Sequence, residues 1–297
     1  MTGAEIEYHL KDYLRRLALK EVAIPTEHID TLVEEIRERL YSDLEDVGDN
    51  EFTFRMSSIG KPLCQVQMEA EGKPRELVGA FEMPVKFITG DMLEAWLLAV
   101  IKSTELPVNG IAIPVELMIA GKRICGTADI IIGGKVYDIK TASDYSFKKY
   151  GKDGGFMSVY EDDPFGYVVQ GFLYARALGL PFGGWIVVNK NKGDIAVCEA
   201  PLRQQKYSDE VLDKAEKAVY TVVDSHPFVR GFDDIVETFR KKETGNRILC
   251  FNCEWCSYRS ECWGELTYHP AAFSQAKNRK WHYYTELNKV REDDPQE

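Results

Sequence analysis

GTADIIIGGKVYDIKT, Gly126 to Thr141, decides how the chain is read. Two short β-branched runs flank Gly133-Gly134, a dipeptide suited to a tight two-residue hairpin turn. With those glycines as the loop, Ile132 faces Lys135, Ile131 faces Val136, and Asp129 falls opposite Asp138. Opposed residues of an antiparallel pair carry Cβ atoms roughly 4.5–5.5 Å apart, so two carboxylates would share one patch of sheet. Such a pair is destabilising unless a proton or a cation lies between its members. Lys140 points to the same face, because the side-chain period of a strand is two. Ile139 points the other way, into a core, and leaves its carbonyl near the patch. The plainer reading is a solvated strand face with a surface ion pair. Against it, Ile131 and Val136 share that face, and aspartate is a poor strand former with little reason to occur twice in register.

These residues resemble the PD-(D/E)xK nucleases of the RecB type, whose pattern is G-x-x-D followed by (D/E)-x-K. Here it reads Gly126-Thr127-Ala128-Asp129, then Asp138-Ile139-Lys140. The resemblance implies an α/β, restriction-endonuclease-like core, a mixed central sheet flanked by helices, and metal-assisted hydrolysis of DNA phosphodiesters. It implies that Asp129, Asp138 and the Ile139 carbonyl hold Mg²⁺ or Mn²⁺, while Lys140 orients or deprotonates a water and stabilises the transition state. Glu94 follows Gly90 in an apolar helical run, Phe87 to Lys102, where the family has a His and related exonucleases a Glu; it would complete the metal site. Glu116, in a strand from Ile113 to Ile119, competes for that role. Gln170 and Tyr174 sit at i and i+4 of a helix, Phe165 to Leu178, and match the family's Gln-x-x-x-Tyr accessory motif, which faces the active site and DNA.

Composition sets wider bounds. The chain has 297 residues, 44% hydrophobic and 29% charged, as in an ordinary globular protein. No apolar run of about 18 residues exists and the N-terminus lacks the apolar stretch of a signal peptide, so a cytoplasmic protein without membrane contact is expected. A net charge of −11 argues against a general polyanion-coating protein but leaves room for a local basic groove.

Upstream of the hairpin, Ile6, Leu10, Tyr13, Leu14, Leu17 and then Ile29, Leu32, Ile36, Leu40, Leu44 mark two amphipathic helices broken at Ile24-Pro25, a packing or lid layer, with Thr26 a candidate cap for the second. Val47 to Glu51 reads as a loop. Downstream, Tyr145 to Gly155 reads as a Gly- and Lys-rich loop carrying Lys148, Lys149 and Lys152, either closing over a ligand or simply solvated. Strands are expected at Trp185–Asn189 and Ile195–Glu199, with Cys198 in the core, and a helix over Ser208–Val223 with Ser208 as its cap.

Of seven cysteines, Cys250, Cys253, Cys256 and Cys262 cluster, a pattern of metal ligation in a reducing compartment. Soft thiolates suit zinc or an iron-sulfur cluster. Zinc sites usually keep a dozen or more residues between one C-x-x-C pair and the next; that spacer is absent, and three cysteines spaced by two are similar to a ferredoxin half-motif. The family resemblance implies a different partition. There a [4Fe-4S] cluster is held by Cys253, Cys256, Cys262 and the distant Cys64, which follows a Ser-x-x-Gly-like segment at Ser57–Gly60, and Cys250 is spare. Beyond it, Lys277 to Lys280 with Trp281, Tyr283 and Tyr284 could grip a single strand by stacking or form a terminal helix on the core, ahead of an acidic end at Glu292 to Glu297.

The expected organisation is a helical segment over 1–50, a nuclease domain with the iron-sulfur site over 51–265, and a tail over 266–297. The expected function is a Mg²⁺- or Mn²⁺-dependent DNA exonuclease, similar to CRISPR-associated adaptation nucleases and phage exonucleases. It would act on single-stranded DNA or DNA with a free end in recombination, repair, or phage or CRISPR processing, with or without partner proteins. The alternatives are an endonuclease or ribonuclease of the same fold, or a non-catalytic DNA-binding or redox module carrying iron-sulfur or zinc.

Overall fold

Gly133 and Gly134 make the expected turn: both adopt positive φ, 56° and 73°, which only glycine enters without a steric cost. In the computed structural model, which describes residues 1–45, 52–76, 82–151 and 154–290, the chain opens with helices α1 (Gly3–Ala18), α2 (Thr26–Glu45), α3 (Leu63–Ala70) and α4 (Glu82–Lys102). Strands β1 (Val108–Ile119), β2 (Lys122–Ile132) and β3 (Lys135–Ala142) follow, then helices α5 (Asp144–Tyr150), α6 (Phe156–Glu161) and α7 (Tyr167–Leu178). Next come β4 (Phe182–Asn189), β5 (Ile195–Glu199), helix α8 (Gln205–Val223), and strands β6 (Ile235–Phe239) and β7 (Lys242–Ile248). Two short helices, α9 (Phe251–Glu254) and α10 (Arg259–Trp263), lead to β8 (Thr267–Pro270) and β9 (Trp281–Glu286).

The chain divides into two compact units, Met1–Lys61 with Phe81–Asp224, and Pro62–Ala80 with Ser225–Glu297. The boundaries expected at 50 and 265 therefore do not coincide with this division. The N-terminal helices are built into the first unit, where Ile6, Leu10 and Tyr13 of α1 join Leu97, Val100 and Ile101 of α4 and Ile130, Ile139 and Ile186 of the sheet in one core. Residues 266–290 supply two strands of the second unit rather than a tail.

In the first unit the sheet runs β1-β2-β3-β4-β5 and is mixed. Its antiparallel neighbours are joined by short turns, whereas β3 and β4 are parallel and need a crossover. That crossover contains α5, α6 and α7, and it lays α7 against β1 to β4. β4 is buried along its whole length, as befits a strand with neighbours on both sides and helices on both faces. The fold is thus mixed α/β with a five-stranded sheet and flanking helices.

Several local expectations change. Tyr145–Gly155 is not all loop: Ser143 accepts the Ser146 N–H and caps α5, whose Asp144 and Lys148-Lys149 suit the two ends of the helix dipole. Lys149 pairs with Asp162, and Lys152 lies outside the described residues. Val47–Glu51 and Glu292–Glu297 lie outside them too. Thr26 and Ser208 fall inside their helices rather than capping them; the Pro25 carbonyl accepts the first bonds of α2, and Gln204 precedes α8. Cys198 is buried in the core, where desolvation pushes its thiol up to about 12. Among the described residues no helix is long and apolar enough to cross a membrane.

The second unit has a four-stranded sheet in the order β6-β7-β9-β8, so the terminal segment is a strand and not a helix. One apolar cluster in it joins Ile248, Ala272 and Tyr284, backed by Phe273, Leu287 and Val290. A buried polar hub supplements it. Glu237 accepts hydrogen bonds from the Tyr284 hydroxyl at 2.6 Å, the Thr244 hydroxyl at 2.8 Å and the Asn246 amide at 2.9 Å. Burial works to raise the Glu237 pKa, and the three donors outweigh it and hold the group below the usual glutamate value. A depressed folded pKa gives stability that is complete above the unfolded value, about 4.3, and is lost as pH falls through the folded one. Glu237→Ala should therefore weaken the unit by roughly 1–3 kcal/mol for each donor left without an acceptor. Hydrogen exchange of the β6, β7 and β9 amides is the check: variant and wild type should differ strongly at neutral pH and converge below about pH 4.

Candidate active site and thiol cluster

The β2–β3 ladder pairs Ile132 with Lys135, Ile131 with Val136 and Ile130 with Tyr137, and there it stops. The next step would place Asp129 beside Asp138. Instead the Asp129 carboxylate accepts the Ile139 N–H at 2.6 Å, taking the place of the missing ladder carbonyl. Further upstream β1 holds one edge of β2, and residues 54–56 take the edge that β3 has left: Met56 donates to the Cys125 carbonyl at 2.9 Å and Cys125 to that of Phe54 at 3.2 Å.

Asp138 is fully buried, and its charge is met by Lys140. The Lys140 ammonium stands 2.8 Å from both Asp138 oxygens but hydrogen-bonds to Oδ1, and Oδ2 is left buried without a bond of proper geometry. Burial raises the pKa of both aspartates, and each is pushed further by carboxylate neighbours: Asp138 and Glu94 act on Asp129, and Glu94 on Asp138. Lys140 and the Ile139 N–H pull the other way without prevailing. For Lys140, burial disfavours the charge, but Asp138 and Asp129 outweigh it and hold its pKa above the usual lysine range.

Helix α7 covers this patch. Gln170 donates to the Tyr174 hydroxyl at 2.9 Å, and both side chains are buried. Burial pushes the Tyr174 phenol up to about 12, with Asp138 and Asp129 adding to the effect. Tyr167 lies on the same stripe, at i−3 from Gln170, and its ring sits 4.8 Å from the Lys140 ammonium. Tyr167 was not among the expected site residues, though its spacing from Gln170 puts it on the same helical face; what that face covers is not legible in the sequence.

Glu94, on α4, is within electrostatic reach of both aspartates and is held by Arg39 of α2, at 2.8 Å. Glu116 is elsewhere: exposed on the β1–β2 hairpin, it accepts from Arg123 at 2.7 Å. Among the described residues no group of three or more His, Cys, Asp or Glu is placed to hold a metal ion. Arg39 occupies the third carboxylate, and nothing in the sequence links positions 39 and 94.

In the second unit, Cys64 of α3 and Cys253, Cys256 and Cys262 of the α9–α10 segment line one cavity; Cys250 does not line it. Burial raises every one of these four thiols, Cys253 to about 12, and neighbouring sulfurs add to the effect, among them Cys250, which acts on Cys64 and Cys253 and so stands close to the group although it is not in the cavity lining. Cations close the cavity wall. Arg230 lies 3.9 Å over the Trp263 ring and donates to the Cys262 carbonyl, and Arg259 bonds the Glu254 carbonyl and pairs with Glu76 at 3.1 Å.

No protein-family model and no curated protein matches this chain. Among solved structures, SSO0001 overlaps 80% of this chain and 96% of its own, at 16% identity and a TM-score of 0.40. A candidate exonuclease from Eubacterium rectale overlaps 63% of this chain and 84% of its own, at 16% identity and a TM-score of 0.38. Likeness this distant leaves the function to the chemistry of the sites.

One contact joins two sequence motifs. A Cβ built on Gly126 would stand 2.5 Å from Tyr174 Cε1 and 3.3 Å from Met56 Cβ, so the glycine is there to admit the tyrosine. Gly126→Ala should cost about 1–3 kcal/mol by overpacking. Chemical denaturation of both single variants and the double variant checks this: with Tyr174→Leu in place, the alanine should cost at least about 0.5 kcal/mol less.

Proposed function

We propose that the first unit is a divalent-metal-dependent deoxyribonuclease of the RecB-type PD-(D/E)xK kind, acting as an exonuclease on DNA with a free or single-stranded end. The observation that carries this reading is the convergence of Asp129, Asp138 and Lys140 beneath Gln170 and Tyr174 of α7. The donor set fits a hard cation. Asp138 Oδ2 is buried and meets the Lys140 ammonium without a well-directed hydrogen bond, and Asp129 carries one hydrogen bond from the backbone. Asp129, Asp138 and the Ile139 carbonyl would hold Mg²⁺ or Mn²⁺, with Glu94 completing the set by giving up Arg39. When bound, such an ion offsets the charge that grows on the phosphate and lowers the pKa of a water.

The chain's own groups do the rest. Lys140 would orient or deprotonate the attacking water and stabilise the transition-state charge. Tyr167 fixes the ammonium from its ring face. Gln170 donates to the Tyr174 oxygen and so leaves the phenolic proton available to a phosphate oxygen. Asp138→Asn and Lys140→Met should each lower Mg²⁺- or Mn²⁺-dependent DNA cleavage on the order of 10²-fold or more with the fold kept by circular dichroism, Lys140→Met also lowering the melting temperature because it leaves Asp138 without its partner. Glu94→Gln should lose activity and Glu116→Gln keep it. If cluster-loaded wild-type protein binds DNA and never cuts it in either metal, the chain is a binding module instead.

We infer that the thiols of the second unit hold a [4Fe-4S] cluster through Cys64, Cys253, Cys256 and Cys262. The four cysteines line one cavity, and the lack of the usual spacer between C-x-x-C pairs favours iron-sulfur over zinc. The cluster would have no electron-transfer duty in hydrolysis. It would tie α3 to a segment far later in the chain. Freshly purified protein should be brown, with iron and sulfide in about equal amounts. Cys64→Ala should bleach it and speed proteolysis of the second unit, and Cys250→Ala should do neither; a colourless, zinc-loaded wild type would reverse the assignment.

A further inference from the structure

In the β8–β9 hairpin Tyr268 pairs with Tyr283 and Pro270 with Trp281, so these four side chains share one face. Tyr284 is on the other face and is buried. On the outer face the Tyr268 ring stacks on Trp281 at 4.9 Å with 29° between planes, and on Tyr283 at 4.5 Å with 31°. The Arg259 guanidinium continues the row, 4.0 Å over the Tyr283 ring. Arg259 is buried and paired to Glu76, so the inner end of the stack is fixed. The outer end is open: Tyr268 is 54% and Trp281 48% exposed.

Charge around the stack runs against that of the whole molecule. The chain carries −11, yet from Leu266 to Thr285 there is no carboxylate, and the β8–β9 connection holds Lys277, Arg279 and Lys280. The nearby Glu254 takes Lys280 at 3.1 Å and faces His282 at 3.6 Å, so that pair is neutral and the connection's surplus charge is that of Lys277 and Arg279. An open row of π faces beside cations, with no carboxylate of its own segment among them, matches unpaired bases on a phosphate backbone. A protein partner would be matched by apolar area, without any need for parallel rings or cations.

We propose that Trp281 and Tyr268 form a stacking platform for unpaired bases of single-stranded DNA, with the cations of the β8–β9 connection meeting its phosphates. The proposal depends on the nuclease reading only for its choice of DNA, and its test needs no cleavage. Fluorescein-labelled oligo(dT) is titrated with the full-length, cluster-loaded protein in EDTA, and anisotropy gives the Kd. Trp281→Ala and Tyr268→Ala should each weaken binding on the order of 10-fold, and Trp281→Phe should restore most of it. An abasic strand of the same length should bind wild type and Trp281→Ala alike. Equal oligo(dT) affinity in wild type and both alanine variants would overturn the platform, as would an abasic strand that loses as much as oligo(dT). Loss of cleavage in Mg²⁺ with this binding pattern intact would strike the nuclease reading and leave the platform standing.

Discussion

The first unit is organised around a fully buried carboxylate, Asp138, with a half-buried one, Asp129, beside it. Asp129 and Asp138 belong to adjacent strands at the point where the ladder ends, and a lone buried carboxylate costs several kcal/mol. The surroundings offset this in three ways: the Lys140 ammonium, the Ile139 N–H, and pKa values raised so that a proton can share the site. The parallel crossover then lays α7 over the patch, and Gly126 gives way to Tyr174 so that the helix can come close. A fold organised for stability alone would fill this place with apolar side chains. The arrangement is one that a cation would relieve.

Arg39 completes that picture. It reaches Glu94 from the N-terminal layer and makes the third carboxylate part of an ion pair between α2 and α4. Two partly buried side chains hold this pair, so it is less screened than an exposed one, and exchanging the arginine for a metal ion trades one cationic partner for another. The N-terminal helices are thereby both core, through Ile6 and Leu10, and electrostatic neighbours of the site, through Arg39.

The second unit solves a different problem. Alongside its apolar core, buried hydrogen bonds to Glu237 and cations laid over Trp263 and Tyr283 hold its discontinuous stretches together. Aromatic rings stay exposed on the outer face of its sheet.

The sequence by itself determined the hairpin and its register from Ile130–Tyr137 to Ile132–Lys135, because a Gly-Gly turn and a side-chain period of two leave little freedom over so few residues; the expected next pair, Asp129 opposite Asp138, gives way to a bond from the Ile139 N–H to the Asp129 carboxylate. It determined the helices at Gly3–Ala18, Thr26–Glu45 and Tyr167–Leu178 for the same reason, since their apolar spacing is local. Lysine-rich Tyr145–Gly155 misled because a single Ser cap turned a stretch of loop into α5, and the terminal segment misled because its aromatic spacing serves a strand as well as a helix. Only the tertiary structure decided that Arg39 holds Glu94, that Glu116 stands apart with Arg123, that Tyr167 lies under Lys140, and that Tyr268 joins Trp281 and Tyr283. Each of these joins positions distant in the chain or on different elements, and no local rule of spacing specifies which ones meet; that is settled by how the sheets and helices pack.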